Sequence, residues 1–354
     1  MVFRCRGGRR GRLAGNGFSD GSGLVKLMLQ NVHVVLATIG VLLLTGCLAD
    51  SELRRELQRQ GKEQGWGLLS VRNNRSDEFD FARFVRIGDA PHFTSYDLHG
   101  FSMSADGLMG AGDYDGLTSG PQTGPEAEAV PRRLDGMAAI DSRGRELWHK
   151  AGIVSYGPSA VSPSHNGIIF QSKTSLNLLT MPQGTVDVLR GTPGTEKAPA
   201  FGVGGMAYST HVGAISWSPD QRYIVYDEKG KVIIYDLQAH SGRELAAGSE
   251  PSWSPDGRWI AFLSPDREGM LTDATGARMK KILAGKKLAC RMPWSPDSHY
   301  VLCTELDSAN IIFRLMELTD RVVVYRISDG AHLDVISSAP KGVGCAFQWM
   351  VRQH

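Results

Sequence analysis

The chain has 354 residues, of which 42% are hydrophobic and 21% charged, an ordinary globular composition that can bury a large core. Its 42 glycines favour a fold with many turns over one made of long helices. The formal net charge is +2. Without residues 1–46, which hold six of the 39 basic residues and one of the 37 acidic ones, it becomes −3. A charge so close to zero gives no reason to expect a nucleic-acid partner.

The first predicted element is an N-terminal leader. Residues 32–44 are largely apolar, too short to span a bilayer as a helix, and typical of the h-region of a signal peptide. Residues 44–47 then read Leu-Thr-Gly-Cys, which resembles the lipobox of bacterial lipoproteins. The resemblance implies diacylglyceryl attachment to Cys47, cleavage before it, and acylation (palmitate) of the new N-terminus. Because Leu48 rather than Asp follows, resemblance to the sorting rule of Gram-negative lipoproteins favours the outer membrane. The alternative is a buried cysteine ending an anchor helix.

The leader sets the predicted domain boundaries. Residues 1–46 are predicted to be the signal peptide, 47–64 a lipid-anchored and helix-prone tether, and 65–354 the folded domain. The stretch before the h-region is unusually long and rich in Gly and Arg. The sequence therefore predicts a true translation start downstream of Met1, at Val25 or Met28.

The second half of the chain repeats a short signature. Three copies of Trp-Ser-Pro-Asp are each followed by a β-rich run, and their tryptophans are 36 and 41 residues apart, a spacing typical of arrays and propellers. Proline fixes φ and Asp accepts turn geometry, so each copy predicts a tight turn inside a hairpin. The signature residues are Trp217, Pro219, Asp220, Trp253, Pro255, Asp256, Trp294, Pro296 and Asp297.

The segments around the first copy predict a four-stranded sheet, which is the size of one propeller blade. Its predicted strands are Ala214–Trp217, Tyr223–Tyr226, Lys231–Asp236 and Arg243–Ala246. One blade cannot bury both of its faces, so blades must stack around an axis. Two degenerate copies come earlier in the chain, with Met103 and Val161 at the tryptophan position.

A last copy at Trp349 begins a blade near the C-terminus, so that blade must be completed elsewhere. Residues 66–72 and 78–87 are strand-like and belong to no other repeat. They are predicted to close the ring, which removes open sheet edges. The expected fold class is therefore all-β: a single propeller of about six four-stranded blades, closed by N- and C-terminal strands. A seventh blade around residues 93–98 is the alternative.

The full pattern, clearest at residues 253–262, resembles the WD40-like repeats of the TolB type. Such repeats also occur in the propellers of prolyl-oligopeptidase-like peptidases. The resemblance is strong over about residues 210–305 and weak over 65–200. It implies a propeller fold and, by analogy, a role in envelope assembly or integrity.

The search for chemistry predicts no catalytic residue, metal site or cofactor. The predicted folded domain, residues 65–354, has no Gly-x-Ser-x-Gly, no His-Glu-x-x-His and no P-loop. The leading hypothesis is a membrane-tethered, non-enzymatic scaffold that binds an envelope protein or peptide at a propeller face. The alternative is a glycan or peptide lyase or hydrolase with its site in the central channel. Clustered carboxylates or histidines in a funnel would favour the enzyme, and an apolar or mixed rim would favour binding.

Three cysteines fall inside the predicted propeller. If residues 295–298 form a four-residue hairpin loop, Trp294 faces His299 and Cys290 lies opposite Cys303. That register predicts a cross-strand disulfide between Cys290 and Cys303, which an oxidising compartment permits. The alternative is three buried thiols, Cys345 included.

Overall fold

The described residues fold as an all-β propeller of six antiparallel blades and include one short helix, which confirms the predicted fold class and blade count. Helix α1 covers residues 51–64. Within the described part of the chain, no helix is long and apolar enough to cross a membrane. The computed structural model describes residues 51–72, 75–87, 97–115, 134–153, 155, 159–172, 175–191, 212–283, 285–305, 319–340 and 347–352.

The first seven strands after the helix belong to two blades. Blade 1 receives β1 (Trp66–Arg72), β2 (Arg75–Asp80) and β3 (Val85–Ile87). Blade 2 is a complete four-stranded sheet. Its strands are β4 (Asp97–Met103), β5 (Met109–Asp115), β6 (Leu134–Asp141) and β7 (Glu146–Ala151).

Blades 3 and 4 each take four consecutive strands of the chain. The degenerate copy with Val161 thus starts a blade, as predicted. The strands of blade 3 are β8 (Ala160–Val161), β9 (Gly167–Gln171), β10 (Ser175–Thr180) and β11 (Thr185–Gly191). Those of blade 4 are β12 (Val212–Trp217), β13 (Tyr223–Glu228), β14 (Lys231–Asp236) and β15 (Ser241–Ala247).

Blades 5 and 6 complete the series of repeats. The strands of blade 5 are β16 (Ser249–Trp253), β17 (Ile260–Leu263), β18 (Gly269–Thr272) and β19 (Met279–Ile282). Blade 6 has β20 (Tyr300–Glu305), β21 (Thr319–Arg326) and β22 (His332–Pro340). Its innermost segment pairs with β20 only through isolated bridges, one of which joins Trp294 to Val301.

The ring closes as predicted. The last strand, β23 (Gln348–Val351), pairs antiparallel with β1 and forms the innermost strand of blade 1. In this register Leu68 faces Trp349 and Trp66 faces Val351. Strands from opposite ends of the chain therefore share one sheet, which closes the ring.

The hydrophobic core is divided among the interfaces between neighbouring blades. Among the described residues, six buried clusters lie one to each interface around the ring. Strands near the axis are buried on both faces, as β17 is throughout, whereas outer strands such as β7 are largely exposed. This arrangement explains why the inner strands are nearly continuous runs of apolar residues.

Helix α1 packs on the interface between blade 6 and blade 1, which we call the seam. Leu53 and Leu57, four residues apart on one helix face, are completely buried in the seam cluster. Glu56 forms an ion pair with Arg326 of blade 6 at 2.6 Å. The described part of the predicted tether is thus helical and docked on the propeller. Its role as a lipid tether stays a prediction.

Candidate functional site

The Ser-Pro-Asp turns share one hydrogen-bonded geometry. In blade 4 the Ser218 hydroxyl donates to Asp220 Oδ1 at 2.5 Å and accepts from the Tyr223 N–H at 2.9 Å, while Asp220 accepts from the Arg222 N–H at 3.1 Å. Short side chains thus satisfy the backbone donors of the turn and hold it rigid. The same bonds recur in three other turns, built on Ser104 and Asp106, Ser254 and Asp256, and Ser295 and Asp297.

The residue after the Asp position adopts a left-handed backbone conformation. Glycine fills this position in blade 5, where Gly257 has a φ of 74°. His165, Gln221 and Ser298 fill it in blades 3, 4 and 6 with φ values of 58°, 58° and 65°. A non-glycine residue in this conformation raises the free energy of the folded state by about 1–2 kcal/mol, so a compensating interaction is expected at these three positions.

That interaction is a hydrogen bond to the turn of the preceding blade. All three non-glycine side chains make one, so neighbouring turns are tied together around the mouth of the channel. The bonds join His165 Nε2 to Asp106 Oδ1 at 3.1 Å, Gln221 Oε1 to the Ser164 hydroxyl at 2.6 Å, and Ser298 Oγ to the Asp256 N–H at 2.9 Å.

The signature tryptophans tie the inner strands together below those turns. Their side chains are buried, and three indole N–H groups donate to a backbone carbonyl of the preceding blade. Trp253 is the exception, because its indole donates within its own turn, to Gly257 at 3.4 Å. The three bonds run from Trp217 to Ala160 at 3.0 Å, from Trp294 to Ser252 at 2.9 Å, and from Trp349 to Pro293 at 3.2 Å.

The turns converge on a pocket at one end of the channel. This mouth pocket has a volume of about 170 Å³, and most of the surface it presents is apolar. The signature prolines supply its rim and two signature tryptophans its floor. Its lining residues are Ala105, Asp106, Pro163, Trp217, Pro219, Trp253, Ser254, Pro255 and Pro296.

One polar pair lies on this rim. His165 contacts Asp106 at 2.9 Å, so the pair bridges blades 3 and 2. Burial acts to raise the pKa of Asp106, but its hydrogen bonds from His165 and Ser104 prevail and lower that pKa. The hydrogen bond to Asp106 raises the pKa of His165. The ionised forms of the two side chains therefore stabilise one another.

Below the mouth pocket, the inner strands of all six blades enclose a narrow channel cavity of about 60 Å³. About 10–15 Å³ of such volume accommodates one water molecule, so the cavity holds a few waters or a small polar group. Among the described residues that line it, Arg291 is the charged one. Its Nη1 donates to the Ile215 carbonyl of blade 4 at 3.4 Å, which places the guanidinium across the channel from its own blade.

The predicted pairing of Cys290 with Cys303 is wrong. Cys303 has a free, buried thiol, whereas Cys290 is in a disulfide. Counting outward from one pair is unreliable here because the pairing is irregular: Leu288 faces Glu305, as in the assumed register, but Trp294 faces Val301 rather than His299, a shift of two residues. Burial strongly raises the pKa of the Cys303 thiol, which keeps it protonated and unreactive.

Other predicted features fall outside the described residues. These are the signal peptide, the lipidation residue Cys47 and Cys345. Within the described residues, no group of three or more His, Cys, Asp or Glu side chains is arranged to hold a metal ion. Sequence reasoning missed Arg291, because nothing in its local pattern distinguishes it from a solvated arginine.

The fold and the site together define a class of protein: a six-bladed β-propeller whose repeated turns surround an apolar channel mouth. Among solved structures, the chain is similar to a putative TolB from Agrobacterium tumefaciens, with a TM-score of 0.50 and 14% identity over 81% of this chain and 96% of that one. It is also similar to TolB from Acinetobacter baumannii, with a TM-score of 0.47 and 16% identity over 75% of this chain and 65% of that one. The likeness to the Agrobacterium structure shows a shared fold.

A curated relative gives a partial match. Dipeptidyl-peptidase 5 of Porphyromonas gingivalis is 25% identical over 147 residues, covering 33% of this chain and 21% of the relative. The chain thus matches about a fifth of the length of that peptidase. No family model matches the chain.

Proposed function

We propose that the protein is a lipid-anchored envelope propeller that binds an extended peptide segment of a protein partner at the mouth pocket, and that it is not an enzyme. The observation that carries this proposal is the apolar lining of proline and tryptophan side chains at the convergence of the turns. Loops held on a rigid scaffold are a common location for binding sites.

The size of the mouth pocket supports a peptide occupant. At about 170 Å³ it is smaller than the roughly 300–1,000 Å³ of typical small-molecule sites, and it suits one or two apolar side chains. The floor offers Trp217 and Trp253, and aromatic side chains dominate the energetics of protein interfaces. Because the hydrogen bonds between turns fix the rim, binding costs little ordering of the scaffold.

The anchor follows from Cys47 in its sequence context. Residue 51, where the docked helix begins, is four positions further along the chain, a span of at most about 14 Å in extended chain. A lipid on Cys47 would therefore hold the seam side of the propeller near the membrane surface. In this proposal the protein faces the periplasm from the outer membrane.

Site-directed photo-crosslinking in living cells tests the binding site. A photoreactive residue replaces Pro219 on the rim or, as the control, Met279, which is 53% exposed on outer strand β19. We expect a discrete crosslinked partner from position 219 and none from position 279. Equal crosslinking from both positions, or none from the rim, would contradict the proposal.

Metabolic labelling with a palmitate analogue tests the anchor. The wild-type chain should incorporate the label and fractionate with membranes, whereas Cys47→Ala should do neither. Cys303→Ala is the matched control, because its thiol is buried and free. Label that persists in Cys47→Ala would exclude this residue as the lipid site.

The partial match to Dipeptidyl-peptidase 5 favours a second candidate, a peptidase. Incubation of the purified protein with dipeptidyl-nitroanilide substrates tests it. Release of nitroaniline that scales with protein concentration, and is lost on Arg291→Gln, would support a site in the channel and overturn the scaffold proposal.

A further inference from the structure

Arg291 is placed where a binding partner would meet it. It comes from the innermost segment of blade 6 and lines the channel cavity directly beneath the mouth pocket, since Trp217 and Trp253 line both spaces. The side chain is part-buried, and its Nη1 makes a long hydrogen bond of 3.4 Å to the Ile215 carbonyl. A guanidinium has five N–H donors, so this bond uses only a small part of its donor capacity.

No described carboxylate lies within 4.0 Å of the Arg291 guanidinium. The acid that acts on it from farther away is Glu250, at the start of the inner strand of blade 5. Burial and the nearby Asp227 raise the pKa of Glu250. Glu250 makes no ion pair with the guanidinium, so no described carboxylate directly neutralises the positive charge of Arg291.

Such a charge is costly where burial limits its hydration to a few waters. Burial lowers the pKa of Arg291, which reports the same cost. An anion that enters the channel would offset the cost, and a carboxylate matches the planar fork of a guanidinium with two parallel hydrogen bonds. The cavity of about 60 Å³ admits a group of that size. Ser252 and Gln348, both polar, line the same cavity.

We infer that Arg291 is an anion receptor that selects the partner of the channel: an extended peptide whose apolar residue fills the mouth pocket and whose neighbouring Asp or Glu side chain pairs with the guanidinium. This inference rests on the proposed function, because it names the chemistry of the segment bound at the same mouth. The inference goes beyond the proposed function by assigning the specificity for the bound peptide to one residue of blade 6.

Selection from a phage-displayed library of random twelve-residue peptides tests the inference. The purified wild-type protein is compared with Arg291→Gln, Arg291→Lys and the control Arg243→Gln, an exposed arginine of outer strand β15 that also bonds a backbone carbonyl. We expect wild type and Arg243→Gln to enrich peptides with one Asp or Glu next to apolar residues. Arg291→Gln should lose the acidic preference and Arg291→Lys should keep part of it.

The most enriched peptide then enters a double-mutant cycle. Replacing its acidic residue by Asn or Gln should weaken binding to wild type by about tenfold to a hundredfold, and should change binding to Arg291→Gln little. If Arg291→Gln fails to fold, as its thermal unfolding would show, Arg291→Lys and the peptide variants on wild type decide the matter.

The outcomes separate the two claims. Enrichment of apolar peptides without an acidic residue would overturn the role of Arg291 and leave the peptide-binding function standing. No enrichment of any peptide by wild type would contradict both. An acidic preference that survives unchanged in Arg291→Gln would show that another group recognises the anion.

Discussion

The interface between blades 4 and 5 and the seam between blades 6 and 1 are both hydrophobic, but they are assembled from different parts of the chain. Blades 4 and 5 are consecutive, and the bond from the Trp253 N–H to Ser216 Oγ joins residues 37 positions apart. The seam joins segments separated by most of the chain, such as Glu56 and Arg326, 270 positions apart.

The difference between these interfaces shows how a repeat protein becomes a closed ring. Contacts between consecutive blades need only short loops to close, whereas the seam bears the entropy cost of the longest loop. The seam offsets that cost with closely packed aromatic side chains. The ring centroid of Trp349 lies 5.6 Å from that of Trp66 and 5.5 Å from that of Phe81. Helix α1 covers the groove between the two blades. We therefore expect the seam to govern global stability.

The largest expected effect is that of Trp349→Ala. The side chain is 2% exposed and donates to Pro293, so its loss should cost about 5 kcal/mol in the free energy of unfolding, the upper end for Trp truncations. Trp253→Ala should cost nearer 3 kcal/mol, because the indole bonds only within its own turn. Denaturant unfolding followed by circular dichroism measures both values. Equal losses would erase the distinction between the seam and the repeats.

The second prediction concerns the helix on the seam. Leu57→Ala removes a completely buried side chain and should lower the free energy of unfolding by about 2–4 kcal/mol. The control, Leu147→Ala on outer strand β7, removes a side chain that is 56% exposed and should change it by less than about 0.5 kcal/mol. A negligible effect of Leu57→Ala would mean that the helix leaves the propeller in solution.

The same contrast determines what the sequence could predict. The repeats were readable because turn chemistry and strand pattern are local, and Trp217, Trp253 and Trp294 mark them directly. The closure was inferred indirectly, from strands left without a blade. The docking of Leu53 and Leu57 was missed because a charged helix of about four turns gives no sign of the groove that receives it.

Register and site were harder still. Cys303 was paired wrongly because the segment that holds Cys290 is no regular strand: its register against β20 shifts by two residues between Leu288 and Trp294. His165, Gln221 and Ser298 depart from the glycine that blade 5 has at the same place in the turn. Their side chains bond to the preceding blade, which only the assembled ring reveals.

Those departures give the third prediction. Ser298→Ala removes the acceptor of the Asp256 N–H and keeps the left-handed backbone cost, so the free energy of unfolding should fall by about 1 kcal/mol. Ser298→Gly loses the same bond but relieves a backbone cost of about 1 kcal/mol, so its net effect should lie near zero. Chemical denaturation of both variants compares them. Identical losses would show that the backbone conformation carries no cost there.

The smallest expected effect is the pH dependence of the bond between blades 3 and 2. Because its hydrogen bond to Asp106 raises the pKa of His165, the stabilisation is full below the unfolded value of about 6.5 and is lost as pH rises through the raised folded value. Because the pKa of Asp106 is lowered, the stabilisation that Asp106 contributes is present above about pH 3.9 and is lost as pH falls through the lowered folded pKa.

The contribution is therefore greatest between about pH 4 and 6.5. Since the His165 and Asp106 side chains are 31% and 42% exposed, it should stay below about 1 kcal/mol. The difference in unfolding free energy between wild type and His165→Asn should shrink from pH 5.5 to pH 8.5, and Asp106→Asn should show the same trend, since either change removes the one pair. The seam contributes several kcal/mol to stability, so a pair this weak should affect the rim more than the propeller as a whole. If the difference grew with pH instead, the rim pair would not be held together by the charge of His165.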